Sequence, residues 1–290
     1  MKSVFNPQRV FKIIMKNLRI FLILLLLTGI NVKAHESLNT ILGFINPESV
    51  VQDAKGDIYV SEIGEFNKDG DGKIVRISVD GKLSTFSSGM DDPKGLTFHG
   101  KSLYVTDKNR VLKVEPNGKW AVIGSTMAFP QTPIFLNDIV ADASGNLYIS
   151  DSGNLKSGGA IYKITPDKKI TIVLDERTPQ ILAPNGLWII KNDLYEVDFS
   201  SGILYKINLK NNSITKVAEG FGGADGLIKS GKNFFISDWK NGKIFKVQEG
   251  KVSLYKDGFA GAADIALSYD KKSIIVPDMK AGSVTLLHIH

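Results

Sequence analysis

Six polar side chains recur at near-equal spacing along this chain. They are Glu48, Lys94, Asn137, Asn185, Asp225 and Asp264, separated by 46, 43, 48, 40 and 39 residues. Five of them offer oxygen and one offers a cation. The three carboxylates outweigh Lys94 by two charges, the deficit that one divalent ion neutralises. Carboxylates and amide carbonyls without His or Cys suit a hard cation: calcium first, then magnesium or manganese, with zinc also admissible. Without such a guest, six polar groups facing one narrow space need other compensation. The alternative is a water-filled polar channel in which Lys94 is the internal counter-ion.

The elements around these residues repeat as well. Pro47, Pro93, Leu136, Pro184, Ala224 and Ala263 each open a unit. An apolar strand ending in an acid follows each time, at Glu62, Asp107, Asp151, Asp198, Asp238 and Asp278. A third segment of the type apolar-x-Lys-apolar ends at Ile77, Val114, Ile164, Ile207, Val247 and Leu287. More polar fourth segments begin at Gly81, Gly118, Asp167, Asn212 and Gly250. Four short strands in a repeat near 40 residues predict an all-β, six-bladed propeller with four-stranded blades. Equivalent positions then point at one shared axis, which is where the six polar residues should meet.

Only five fourth strands are found. Residues 37–45 (SLNTILGFI) alternate in the manner of a strand and precede the first blade. They are predicted to complete the last blade and close the ring, removing long exposed sheet edges. No helix of consequence is expected after the leader.

Residues 1–34 differ from the rest. Lys16 and Arg19 precede the apolar run 20–27, and Val32-Lys33-Ala34 resembles a signal-peptidase site, so a secretion signal is expected, with Met15 as a second candidate start. The run is short for a membrane span. A single domain, 35–290, follows. The net charge of +6 comes from six leader cations, Lys2, Arg9, Lys12, Lys16, Arg19 and Lys33. Without them 30 Lys and Arg face 30 Asp and Glu. The basic balance therefore gives no support to a nucleic-acid or anionic-membrane partner. With no Cys there is no disulfide, thiol nucleophile or thiolate site. A periplasmic or secreted protein, of bacterial origin, is the reading.

The segments around Glu48, Leu136-Asn137-Asp138, Pro184-Asn185-Gly186-Leu187 and Ala224-Asp225-Gly226-Leu227 resemble the family of gluconolactonases, regucalcin (senescence marker protein) and luciferin-regenerating enzyme. More distantly they resemble paraoxonase and the drug-responsive lactonase. The resemblance spans about residues 40–290 and implies a propeller with an axial divalent cation that hydrolyses lactones or related esters. Glu48, Asn185 and Asp225 match that family's metal ligands, and Asn137 matches a further Asn that binds metal or substrate. The chain departs from the family at Phe135, where sugar-lactone hydrolases carry an Arg. It also lacks a paraoxonase-like His pair, since His35, His99, His288 and His290 fall in a turn or near the chain ends.

The resemblance makes Asp225 the first candidate base and Asp264 the second. Lys94 reads as a counter-charge or a substrate contact. Phe135 and Phe221 are candidate substrate-lining residues within apolar connections that include Phe129, Ile181, Leu182 and Phe259. Those connections line the mouth for a hydrophobic ester or lactone, or simply pack over the blade tops. The run Asn67-Lys68-Asp69-Gly70-Asp71-Gly72 starts like a calcium loop, but Ser78 stands where a closing Glu belongs, so a polar hairpin is preferred. The rival function is a non-catalytic propeller of the NHL type that binds a ligand or protein. Oligomeric state is not encoded in any motif.

Overall fold

The computed structural model describes residues 39–289; the predicted leader and its Met15 start lie outside them. The strands form six four-stranded antiparallel sheets. Five are in sequential order from the first strand of a repeat outward, and the sixth is completed by the first strand of the chain's described residues. First strands of successive blades touch one another in a closed cycle, so they line a common axis. Among the described residues the only helical element is a short 3-10 turn, Thr126–Ala128. None is long and apolar enough to cross a membrane.

The ring closes as the repeats require. Asn39–Leu42 pairs antiparallel with Ser283–His288, with Thr40 opposite Thr285. The Gly43 and Phe44 N–H groups both donate to the Gly282 carbonyl. Phe44 then enters the blade 6–blade 1 core beside Val50, Ile275 and Val284. The closing strand ends at Leu42, before the alternation does, because Gly43 takes a φ of 104° and turns the chain.

Packing between blades follows from the period-two pattern of the second strands. In blade 3, Leu147 and Ile149 pack toward blade 2, while Tyr148 packs toward blade 4. The terminal acids fix the loops at one end of the ring. Asp198, for example, accepts hydrogen bonds from the N–H groups of Leu182, Ala183, Ser200 and Ser201. Asp151 and Asp278 do the same for Ile134 and Phe135, and for Ala260 and Gly261. The recurring acids are therefore architectural, and they bind the connection entering their blade as well as the turn leaving it.

A bulge places each axial residue. In blades 1, 3 and 5 the ladder breaks after Pro47, Leu136 and Ala224. The N–H freed there finds a hydroxyl on the second strand: Ser49 to Ser61, Asp138 to Ser150 and Gly226 to Ser237. Blade 6 carries Pro277 where those hydroxyls stand. Its first strand shrinks to Ala266–Leu267, with an isolated bridge from Ala262 to Asp278. The Asp264 N–H pairs instead with the Glu48 carbonyl of blade 1, at 2.9 Å.

A candidate metal-binding pocket on the propeller axis

Five of the six expected residues, Glu48, Lys94, Asn137, Asn185 and Asp225, are repeat-equivalent and converge. The bridge from Ala262 to Asp278 corrects the sixth: Ala263 takes the equivalent place, and Asp264 stands one residue later, level with Ser49 and Asp138. Glu48, Lys94, Asn137, Asn185, Asp225 and Asp264 are each no more than 7% exposed. Close approach of the first strands makes this possible. A Cβ on Gly186 would fall 2.2 Å from the Asp225 carbonyl oxygen, and one on Gly226 would fall 2.3 Å from the Ile265 nitrogen. Any larger residue would push adjacent blades apart and widen the axis.

Asp138 joins the set, occupying the place of Gly186 and Gly226 in blade 3. It spans to the next blade, accepting from the Leu187 N–H at 2.6 Å as well as from its neighbour Ile139. Ser49, at the same place in blade 1, donates to Asp264 at 2.5 Å. In sequence, Ser49 and Asp138 stand out only as departures from the Gly of other repeats.

The acids feel one another. Burial raises the Glu48 carboxyl well above the ordinary range; Asp225 adds to this and Lys94 opposes it. Burial pushes Asp225 up to about 8, with Asp138 adding and a hydrogen bond from Asn185 subtracting. Asp264 is likewise raised well above normal, by burial and then by Asp138 and Glu48. Asp138 reaches only about 6, because two backbone N–H groups favour its charged form. Burial lowers the Lys94 ammonium, against the pull of Glu48, Asp92 and Asp107. Its Nζ donates to the Asp92 carbonyl at 3.2 Å and lies 4.4 Å from the centre of the Phe135 ring.

Four of these residues carry an oxygen that is buried and has no protein partner: Glu48 Oε2, Asn137 Oδ1, Asn185 Oδ1 and Asp225 Oδ1. Buried oxygens left bare are costly. These four are the oxygens expected for a hard cation, and the set fits one. No group of three or more His, Cys, Asp or Glu among the described residues is arranged to hold a metal. A cation held here would need the two asparagine carbonyls.

The remaining expectations resolve by position. Phe135 sits beside the axis under Lys94. Phe221, expected at the mouth, lies instead in the blade 4–blade 5 core at 2% exposure, edge-on to Phe245. Phe129, Ile181 and Phe259 also pack into inter-blade clusters, so the apolar connections mainly seal blade tops. In the 67–72 run, Asp69 pairs with Lys108, and Asp71 with Lys68 and the Glu65 N–H, as a polar hairpin requires. His99 ends a strand that starts at the axial end, and exposed His288 bonds Ser273. A cavity of about 680 Å3 at the opposite end, lined by Tyr59, Arg76 and Phe98, is remote from the axial set. Its acids are already committed: Asp57 to Arg76, and Asp53 to local N–H groups.

The fold and pocket thus define a six-bladed β-propeller with a polar, oxygen-rich axial site. A protein provisionally assigned as a gluconolactonase has a similar structure, with a TM-score of 0.69 at 16% identity over 88% of this chain and 95% of that one. Virginiamycin B lyase from Staphylococcus aureus gives 0.61 at 15% identity, over 87% and 99%. A chain of the nidogen/laminin complex gives 0.60 at 20% identity, over 70% and 76%. At these identities the likeness is one of fold. No protein-family model matches the chain, and no curated protein matches it in sequence.

Proposed function

We propose that this protein is an exported, metal-dependent hydrolase of lactones or related esters, belonging with the gluconolactonase-like propellers. The four orphaned axial oxygens carry the reading. Glu48, Asn137, Asn185 and Asp225 would hold the cation, calcium by preference. When bound, such an ion supplies Lewis acidity toward a carbonyl oxygen. Asp225 takes a proton from the attacking water as the new C–O bond forms, and returns it to the leaving alkoxide as the ring C–O bond breaks. Asp264, held by the Ser49 hydroxyl, is the second candidate for that role. Lys94 and Phe135 flank the opposite side, where a substrate oxygen would meet the ammonium.

A non-catalytic binding propeller is the second reading. It is favoured by Lys94, a cation already lodged among the acids. One experiment separates the two. Calcium added to chelated protein is expected to raise the Tm by about 5 °C or more at saturating concentration. The shift should grow with pH. A raised folded pKa means that Asp225 contributes stability below about pH 4 that is lost as pH rises through about 8. Calcium replaces that proton, so its effect increases across the same window. Aryl esters, aliphatic lactones and gluconolactone should then be assayed with calcium, magnesium, manganese and zinc. No metal-dependent Tm shift, or wild-type turnover by Asp225→Ala, would overturn the proposal.

A further inference from the structure

The residue following each terminal acid forms a second ring, one step further out along the axis. Its members are Ile63, Lys108, Ser152, Phe199, Trp239 and Met279. Their N–H groups bond to carbonyls just before the axial residues, as Ser152 does to Phe135 and Trp239 to Gly223. Ser152 shows where this position points: its hydroxyl accepts from the Asn137 side chain at 3.1 Å. By repeat, Phe199, Trp239, Met279 and Ile63 stand beside Asn185, Asp225, Ala263 and Glu48.

The ring is lopsided. Blades 2 and 3 contribute Lys108 and Ser152, whereas blades 4, 5, 6 and 1 contribute a continuous apolar wall. Phe199 and Trp239 have ring centroids 6.5 Å apart. Trp239 in turn packs with Met279 and Ile63. The indole Nε1–H is buried in this wall without a partner. Two lysines crown it. Lys240 Nζ lies 4.5 Å from the centre of the Phe199 ring, and Lys280 Nζ lies 3.9 Å from that of Trp239. Their stems cross the bare backbones of Gly223 and Gly261, where a Cβ would meet them at 2.6 and 3.0 Å. Both lysines are exposed, and neither has a carboxylate partner among the described residues.

We propose that the channel mouth receives an amphiphilic anion: an apolar aryl or alkyl body bearing one carboxylate or sulfonate. The body lies against Trp239, which the buried Phe199, Met279 and Ile63 back, and the anionic group stays at the rim between Lys240 and Lys280. The acids below set this polarity. The axial acids, balanced by Lys94 and a cation, offer an anion nothing at depth, while the lysine pair attracts it at the top. Combined with the hydrolase reading, on which its catalytic meaning rests, this places the scissile carbonyl downward and makes the substrate an anionic hydrophobic ester or lactone.

The test reads binding, not turnover, on the full calcium-loaded chain. The probes are anilinonaphthalene sulfonate and its uncharged counterpart phenylnaphthylamine, followed by fluorescence titration. The anionic probe is expected to bind at one site at least tenfold tighter than the neutral one, with the advantage shrinking several-fold between 0.05 and 0.5 M salt. Lys240→Gln combined with Lys280→Gln should erase that advantage and leave the neutral probe unchanged. Trp239→Ala should weaken both probes about tenfold; Trp239→Phe guards against loss of fold and should keep most of the neutral probe's affinity. Equal affinity of the double lysine variant and wild type for the sulfonate overturns the proposal, as does binding indifferent to Trp239→Ala. Wild-type protein that binds the sulfonate but turns over no ester or lactone condemns only the hydrolase reading.

Discussion

Glu196 is the residue at which this propeller departs most sharply from its own repeat. Two places before the terminal acid, the other blades carry Val60, Val105, Ile149, Ile236 and Val276, all fully buried. Glu196 is just as buried, and neither of its carboxyl oxygens has a partner. Burial, with Asp198 beside it, drives its pKa well above the ordinary range. The sign follows from linkage. A carboxyl raised on folding contributes stability below its unfolded value near 4, and this is lost as pH rises toward the folded value. Glu196→Val is therefore expected to raise the Tm at pH 7 by several degrees, with a larger gain at pH 8 than at pH 5. Thermal melts at the three pH values check this. A Tm that falls would mean that the carboxyl has a stabilising role.

At the scale of the element, the bulge of the first strand matters most. Ser237 accepts the Gly226 N–H and donates to the Ala263 carbonyl, each at 2.7 Å and each buried. It thus ties the residue after Asp225 to blade 6. Ser237→Ala should cost about 1–3 kcal/mol, since it strips two buried backbone groups of their partner. It should also weaken calcium binding by loosening Asp225. Ser237→Thr should restore both, because Thr106 occupies the same place in blade 2. Denaturant melts and a calcium titration read the two effects.

These elements also show what was legible beforehand. Strand identity came from period-two patterning, and the second strands fall where their terminal acids indicate. Convergence of the first five axial residues followed from spacing, because a closed ring leaves equivalent positions one destination. Asp264 instead sits one place out of register and is held at the axis by Glu48 and Ser49 of blade 1. Direction was harder. Phe221 and Phe135 are both aromatic residues in connections of the same kind, yet one is core and the other faces Lys94. The outer wall escaped notice because Phe199, Trp239 and Met279 share no residue type with Ser152 or Lys108. Pro277 was visible, but its effect on the blade 6 strand depends on a side chain-to-backbone bond that no periodicity reports.

For the whole molecule, stability rests on completing the ring. The four-residue strand Asn39–Leu42 buries little itself, yet it covers the outer edge of Ser283–His288. Removing residues 1–42 should lower the Tm and expose Ser283–His288 to pairing between molecules. Melts combined with light scattering would reveal concentration-dependent association. Removal of residues 1–44 should be markedly worse, since Phe44 belongs to the core and truncating a buried Phe typically costs about 3–5 kcal/mol. Equal behaviour of the two deletions would contradict the role assigned to Phe44.

That seam has a consequence for biogenesis. Thr40 meets Thr285 across 245 positions of chain, so the earliest strand to emerge waits for the latest. Five blades hold all their strands within a local stretch, but the circle is sealed only once Ser283–His288 has been made. Folding should therefore show a late, slow step in which the two ends find each other. A permuted gene that opens elsewhere on the circumference, and makes the seam continuous, should abolish that lag.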